Sequence, residues 1–584
     1  MDSVSPERKP LLPSSSLVND ASKRKYKPFN CFSNYCKELK SRSLSLPSIL
    51  LLIYALPIAV SYSFFDIFFR NFSRNPYNRC EPGGSIDSHT NTISYNVGII
   101  FGNGLFLFAP FCGWLSDTKI GRGNAIYLGL WLGWIGTLLW AIGCCLQYFS
   151  CDTNALFGPS YAFFGIAFIF MLVSLSLLYT NILPYGIDQL INESSVKIRA
   201  FIHWFVLCLY SCYVFIALSD ELIVSFVAFA LFSFCLCLHF FFKHRFEHIP
   251  IPNPYKIVFK VLKFSLKTSH TRRQHRSAFT YWGEEPSRMD LAKERYGGCF
   301  SHEEVENVKT FLRITVVLAT FFSPFVPIVS FLNSSSAFVA QFKNGHEGFA
   351  TNIVWLLGNI IPLFVLVPLF ELVILPLFPK LEYFLISPLR GFILSNVVII
   401  LSIVSVFLID FIGRLDADND FLKPCFFVFL SVQQAFQISY WIVLIPSVLA
   451  GTSLYLSYTC IFEFLCSQSP FGMHGMIIGL FWFCSGIFID IGSGILLFFY
   501  YYPIQSVSFM SYLSCTSWFT VIFGIFAAIG LVVSVLIARW YVNRVRDTDL
   551  GLRAAVEEHW ENRLRAGNAI NDTETEDFTI SSLR

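Results

Sequence analysis

Twelve stretches of this 584-residue chain run about twenty residues or more with little or no charge, near 47–69, 93–116, 124–146, 157–182, 200–218, 222–242, 314–340, 353–378, 391–410, 438–462, 474–499 and 515–538. A run of that length crosses a bilayer as a helix, the one continuous structure that satisfies every backbone N–H and C=O without water. The runs fall six and six around a polar stretch, residues 243–313. They predict an all-α membrane protein with twelve transmembrane helices in 6+6 halves: a tail (1–46), an N-terminal half (47–242), a linker (243–313), a C-terminal half (314–540) and a second tail (541–584). Composition excludes the soluble alternative. Asp, Glu, Lys and Arg make up 14% of the chain, against roughly 25% in soluble proteins, and 54% is apolar, with 65 Phe. The net charge of +3 is too small to suggest nucleic acid as a partner.

Direction follows from the basic residues. With the N-terminus in the cytosol, 36 of the 42 Lys and Arg fall on the cytosolic side, as the positive-inside rule requires. Both termini and the linker are expected there. No cleavable signal is visible ahead of the first apolar run, which reads as a signal anchor. Cys80 and Cys151 fall in the first two non-cytosolic loops, where a disulfide is a candidate pairing. Asn71 and Asn333 head sequons close to the membrane. In the linker, Tyr255, Val258, Phe259, Leu262 and Leu266 follow helical spacing with Lys256, Lys260, Lys263 and Lys267 between them. This predicts an amphipathic helix on the cytosolic leaflet, with the lysines at anionic membrane lipids. The N-terminal tail, rich in Ser, Pro and Lys, reads as disordered. Within it, Glu7 stands four residues before Leu11 and Leu12. This resembles the acidic dileucine signal that sorting adaptors read for endosomal and lysosomal membranes; the plasma membrane is the alternative location.

Four stretches carry a family resemblance. After the second run come Gly113, Asp117, Gly121 and Arg122, which resemble the signature loop between helices 2 and 3 of the major facilitator superfamily. The stretch Asn181 to Gln189, with Pro184, Gly186 and Asp188, is similar to a run in the proton-dependent oligopeptide transporter (POT) family, nearest its animal peptide/histidine branch. Asp290 to Arg313, with Glu304, Glu306 and Lys309, resembles that family's lead into helix 7; Glu463, Gln468 and Pro470 resemble its helix 10 signature. The resemblance implies a major facilitator fold, alternating access, and proton-driven movement of di- and tripeptides or histidine.

The family's charged groups are missing. By alignment its helix 1 Glu-x-x-Glu-Arg falls on Pro57, Val60 and Ser61, its helix 4 Lys on Tyr179, its helix 5 Asn on Tyr210 and its helix 10 substrate Glu on Leu454. Asn359 and Trp482 match cavity positions, so Asn359, Trp482, Tyr179 and Tyr210 are the substrate-binding candidates. An ionisable residue inside the bilayer is expensive and therefore a functional candidate. Of these, Asp490 and Asp66 lead as proton-coupling candidates, followed by Glu463 and Glu371; His203 reads as a satisfied polar contact. The expected function is secondary-active transport of a small solute, with protons as possible partner. The alternative is a non-transporting, receptor-like scaffold. No metal cluster, nucleophile elbow or phosphate loop points to an enzyme, and no cofactor is expected.

Overall fold

The computed structural model describes residues 35–72 (less 38 and 41), 104–149, 157–190, 193, 195–211, 221–247, 254–268, 287–327 (less 323), 342–343, 354–378 (less 355), 388–415, 436–501 (less 471) and 515–541. Ahead of the linker lie helices α1 (Leu46–Phe72), α2 (Ala109–Leu115), α3 (Arg122–Phe149), α4 (Phe157–Asp188), α5 (Ser195–Ser211) and α6 (Glu221–Phe242). The linker forms α7 (Tyr255–Thr268). After it come α8 (His302–Ala319), α9 (Ile361–Leu377), α10 (Pro388–Leu415), α11 (Leu444–Gln468), α12 (His474–Tyr501) and α13 (Cys515–Trp540). Among the described residues, eight helical stretches are long and apolar enough to cross a membrane, and Leu46–Ser61 and Ile361–Leu377 are shorter apolar helices. The sequence predicted twelve spans; among the described residues, the stretches read as the second and eighth are broken along their length.

The breaks have local causes, and they recur where the chemistry is. α2 runs into a π-helical turn, Ser116–Ile120, that carries Asp117, and Gly121 ends it at φ 83°, a left-handed conformation suited to glycine. Prolines 362, 368 and 376 punctuate α9, which the π-helical turn Leu356–Ile360 precedes and the π-helical turn Leu369–Ile374 interrupts. The first carries Asn359 and the second Glu371. A π turn rotates its side chains out of the α-helical register and is common at functional positions. α8 begins at a capping box, in which Ser301 and Glu304 each accept the other's backbone N–H.

The linker is tied to the bundle. Lys293 lies 2.6 Å from both Asp290 and Glu306, and Lys309 2.5 Å from Asp290. Partial burial would raise the Asp290 carboxyl, but hydrogen bonds from Lys293, Lys309 and Ser287 hold it well below the usual carboxylate range. Its pairing therefore persists at any pH above the ordinary carboxylate value near 4 and weakens only in stronger acid. On α7 the expected leaflet-facing stripe is divided. Tyr255, Val258 and Val261 are buried against the protein, whereas Phe259 is 72% and Leu266 77% exposed. The tail also differs from its reading as disordered up to residue 46, because Arg42 is buried.

Candidate functional site

Helices from before and after the linker meet at three levels, all on or below the end of the bundle where α2 stops, α12 starts and α7 lies. The outermost level is built by the signature loop. Arg122 donates from Nε to Asp117 at 2.8 Å and from Nη1 to both oxygens of Asp188 at 2.8 and 2.7 Å. Two of the family-like stretches are thus joined by one buried guanidinium. Asp117 Oδ2 accepts the Tyr255 hydroxyl at 2.9 Å and the backbone N–H of Met476, in the first turn of α12, at 3.1 Å. A carboxylate at a helix N-terminus is favoured by the unpaired N–H groups and the dipole. Burial and the neighbouring Asp117 push the Tyr255 hydroxyl far above its ordinary range, so it stays a donor at physiological pH.

Glycine makes this approach possible. A Cβ at Gly113 would overlap the Gly475 carbonyl, one at Gly475 would stand 2.8 Å from Asp117 Oδ1, and one at Gly479 would stand 2.5 Å from the Ala109 carbonyl. α2 and α12 therefore touch backbone to backbone, the packing that small residues permit between membrane helices.

One level in, a chain of charges crosses the bundle. Arg42 Nη1 lies 3.3 Å from Glu371 Oε2, and Glu371 Oε1 lies 2.5 Å from His203 Nδ1, a close contact off hydrogen-bond alignment. His203 Nε2 is 2.9 Å from Glu463 Oε1, and Arg199 Nε is 3.1 Å from the same oxygen. Arg42 and Glu371 are almost wholly buried, His203 and Glu463 nearly so. Glu463, a coupling candidate in the sequence, is paired with His203 and Arg199 of α5. His203, read in the sequence as a satisfied polar contact, has Glu463 as a partner and also stands at the centre of this charge chain.

The third level is aromatic. Trp482 of α12 donates from Nε1 to the Tyr179 carbonyl of α4 at 3.1 Å. Its ring centroid lies 4.5 Å from Tyr179 and 5.4 Å from Phe106, stacked on the latter. Tyr458 of α11 joins Trp482 at 6.0 Å and Tyr210 of α5 at 5.3 Å. Trp482 is 3% exposed, so in this conformation it seals the helices together rather than walling an open pocket. Pro57, Val60, Ser61 and Leu454, where the family has charges, are buried as well.

The structure thus brings together Glu371, Glu463, Tyr179, Tyr210, Trp482 and the signature residues Gly113, Asp117, Gly121 and Arg122. Asn359 and Asp66 lie in helical backbone with side chains outside the described residues. Asp490 is half-buried on α12, about 24 Å along that helix from His474. Glu7, Leu11, Leu12, Cys80, Cys151 and Asn333 lie outside the described residues. Sequence reading missed Arg42 and Arg199, each of which reads there as one more cytosolic basic residue.

No family model matches the chain. Solute carrier family 15 member 5 of Homo sapiens is 25% identical over 291 residues, 47% of this chain and 47% of that relative, so the match spans about half of the relative's length. Among solved structures, an auto-inhibited POT family peptide transporter superposes with a TM-score of 0.54 at 15% identity, covering 85% of this chain and 98% of that one. The POT family transporter PepTSo gives 0.53 at 17% identity, covering 85% and 99%. The chain has the fold of these transporters.

Proposed function

We propose that the chain is a secondary-active transporter of di- and tripeptides, histidine or a related small solute, built from twelve spans in two six-helix halves with both termini cytosolic. One observation carries this reading: helices from the two sides of the linker clasp each other at one end, through Asp117 and Met476, His203 and Glu463, and Tyr179 and Trp482. Alternating access consists of making and breaking such a clasp around a central site. In this reading the clasped end faces the cytosol, and the conformation is closed to that side.

The substrate chemistry differs from that expected of the family. A zwitterionic peptide needs a cation for its carboxylate, and the position that supplies it is Tyr179. The faces of Tyr179, Tyr458 and Trp482 instead attract a cationic amine. The substrate class is then a small amine-bearing solute with an apolar or aromatic body, with Asn359, Tyr179, Tyr210 and Trp482 as the binding set. Binding is tested by thermal unfolding against a panel of dipeptides, tripeptides, histidine and aromatic amines, because a ligand of the folded state raises its melting point. A rise with amines and peptides is expected; no rise with any of them contradicts the assignment.

Transport is proton-coupled in this reading, with Glu371 and Glu463 at the gate and Asp490 and Asp66 toward the opposite end. Asp490→Asn is expected to weaken the dependence of uptake on a pH gradient; an unchanged dependence removes Asp490 from the coupling set. The protein works in an endosomal or lysosomal membrane. Replacing Leu11 and Leu12 by Ala is expected to move it to the cell surface, and an unchanged location overturns the sorting role of these residues. Phe259 and Leu266 enter the cytosolic leaflet beside Lys256, Lys260, Lys263 and Lys267.

A further inference from the structure

We propose that His203 is the proton carrier of the cycle, holding its proton between Glu371 and Glu463 only while the cytosolic side is closed. The inference rests on the transporter reading above and adds the group that does the coupling.

The geometry demands a proton. His203 is 4% exposed on α5. Its Nδ1 faces Glu371 of α9 at 2.5 Å and its Nε2 faces Glu463 of α11 at 2.9 Å. A neutral imidazole has one N–H and one lone pair, so it turns a lone pair on one of the two carboxylates; the imidazolium sets a positive N–H toward each, as a hydrogen bond at Glu463 and as a close charge contact at Glu371. The two arginines do not remove this requirement. Arg42 takes the other oxygen of Glu371, and Arg199, on the same helix as His203, shares the Glu463 oxygen. Two arginines and two carboxylates already cancel, and the histidine proton is the variable charge. Tyr455 of α11, its ring centroid 6.4 Å from the imidazole, and Cys460, beside Glu463, complete the titratable surroundings. The proton belongs to the His–Glu–Glu set as a whole, since strongly interacting groups titrate together.

The placement couples that proton to the gate. His203 lies ahead of the linker, whereas Glu371 and Glu463 lie after it, on α9 and α11. Opening the cytosolic side moves α5 away from α9 and α11 and takes both anions from the imidazole in one motion. The imidazolium would then be left beside Arg199 alone, and the proton leaves. A ligand that binds one of two conformations more tightly shifts the population toward it, so acid favours the closed form. Histidine suits the task because it alone among unperturbed side chains changes charge between pH 5 and 8. With positions 57, 60, 61, 179 and 454 all uncharged, the titratable groups available for this role are those at the clasp, His203 with Glu371 and Glu463.

The test uses the purified full chain in lipid nanodiscs and needs no substrate. Hydrogen–deuterium exchange is followed in the peptides covering 195–203 and 463–476 between pH 5 and 8, corrected for intrinsic exchange. Opening of the closed form should rise by up to about tenfold per pH unit, the limit for one proton. His203→Gln should give high exchange without the pH slope. His203→Lys, whose ammonium stays charged and can bridge both carboxylates, should give low exchange, also without the slope. Exchange in α3 and α10 checks that each variant is folded, and the wild-type slope with the Lys variant decides the matter should the Gln variant fail to fold. A flat wild-type profile, or a slope retained in either folded variant, overturns the proposal. Solute uptake beside a flat profile overturns the carrier and leaves transport standing, whereas the slope in a protein that takes up nothing supports the switch and overturns the transport reading.

Discussion

Replacing Arg122 by Met is expected to destabilise the folded chain by about 3–5 kcal/mol, the cost of leaving buried carboxylates without their cation. Arg122 is 3% exposed, and its guanidinium is the link between Asp117 and Asp188. Met keeps much of the volume, so the loss reports the charges rather than a cavity. Unfolding in mild detergent measures it. The further substitutions Asp117→Asn and Asp188→Asn should recover most of the loss, because removing a whole buried charge set costs far less than removing one partner. A loss below about 1 kcal/mol would place these carboxylates in water and contradict the buried geometry.

Gly113→Leu is expected to have the second largest effect, and it acts on the conformation. A side chain there has no room, because even its Cβ overlaps the Gly475 carbonyl. Overpacking costs about 1–3 kcal/mol where helices must separate to absorb it. The cost falls on the conformation in which α2 and α12 touch and shifts the population away from it. Exchange in the first turns of α12 should rise by about tenfold or more. Gly165→Ala is the control: nothing lies within 4 Å of a Cβ at that position, and exchange should match the wild type.

Much of this was legible in the sequence, for reasons that differ from residue to residue. The eight long apolar helices among the described residues were readable because bilayer thickness fixes the length of a charge-free run. The signature loop was readable as a set, since Gly113, Asp117 and Arg122 lie within ten residues. Glu371 and Glu463 were visible as expensive residues in the membrane, but their meeting at His203 was not. Those positions are far apart in the chain, and no local pattern encodes a contact between distant helices. Arg42 was hidden for the opposite reason, since a basic residue just ahead of a span is what the positive-inside rule leads one to expect anyway. The breaks in α9 had a visible cause in Pro362, Pro368 and Pro376, yet the π-helical turn that aims Glu371 depends on packing. On α7 the apolar spacing was correct, but periodicity does not say whether a stripe faces lipid or protein. Tyr255 and Val258 went to protein and Phe259 to the surface.

Transport itself is tested most directly by uptake into proteoliposomes of the purified chain, carrying an internal pH-sensitive dye, with acid outside and neutral buffer inside. On adding dipeptides, tripeptides, histidine or aromatic amines in turn, at least one should enter together with protons, faster with the pH gradient than without it. Entry of neither solute nor protons with any member of the panel, from protein whose melting point shows it folded, would contradict the account.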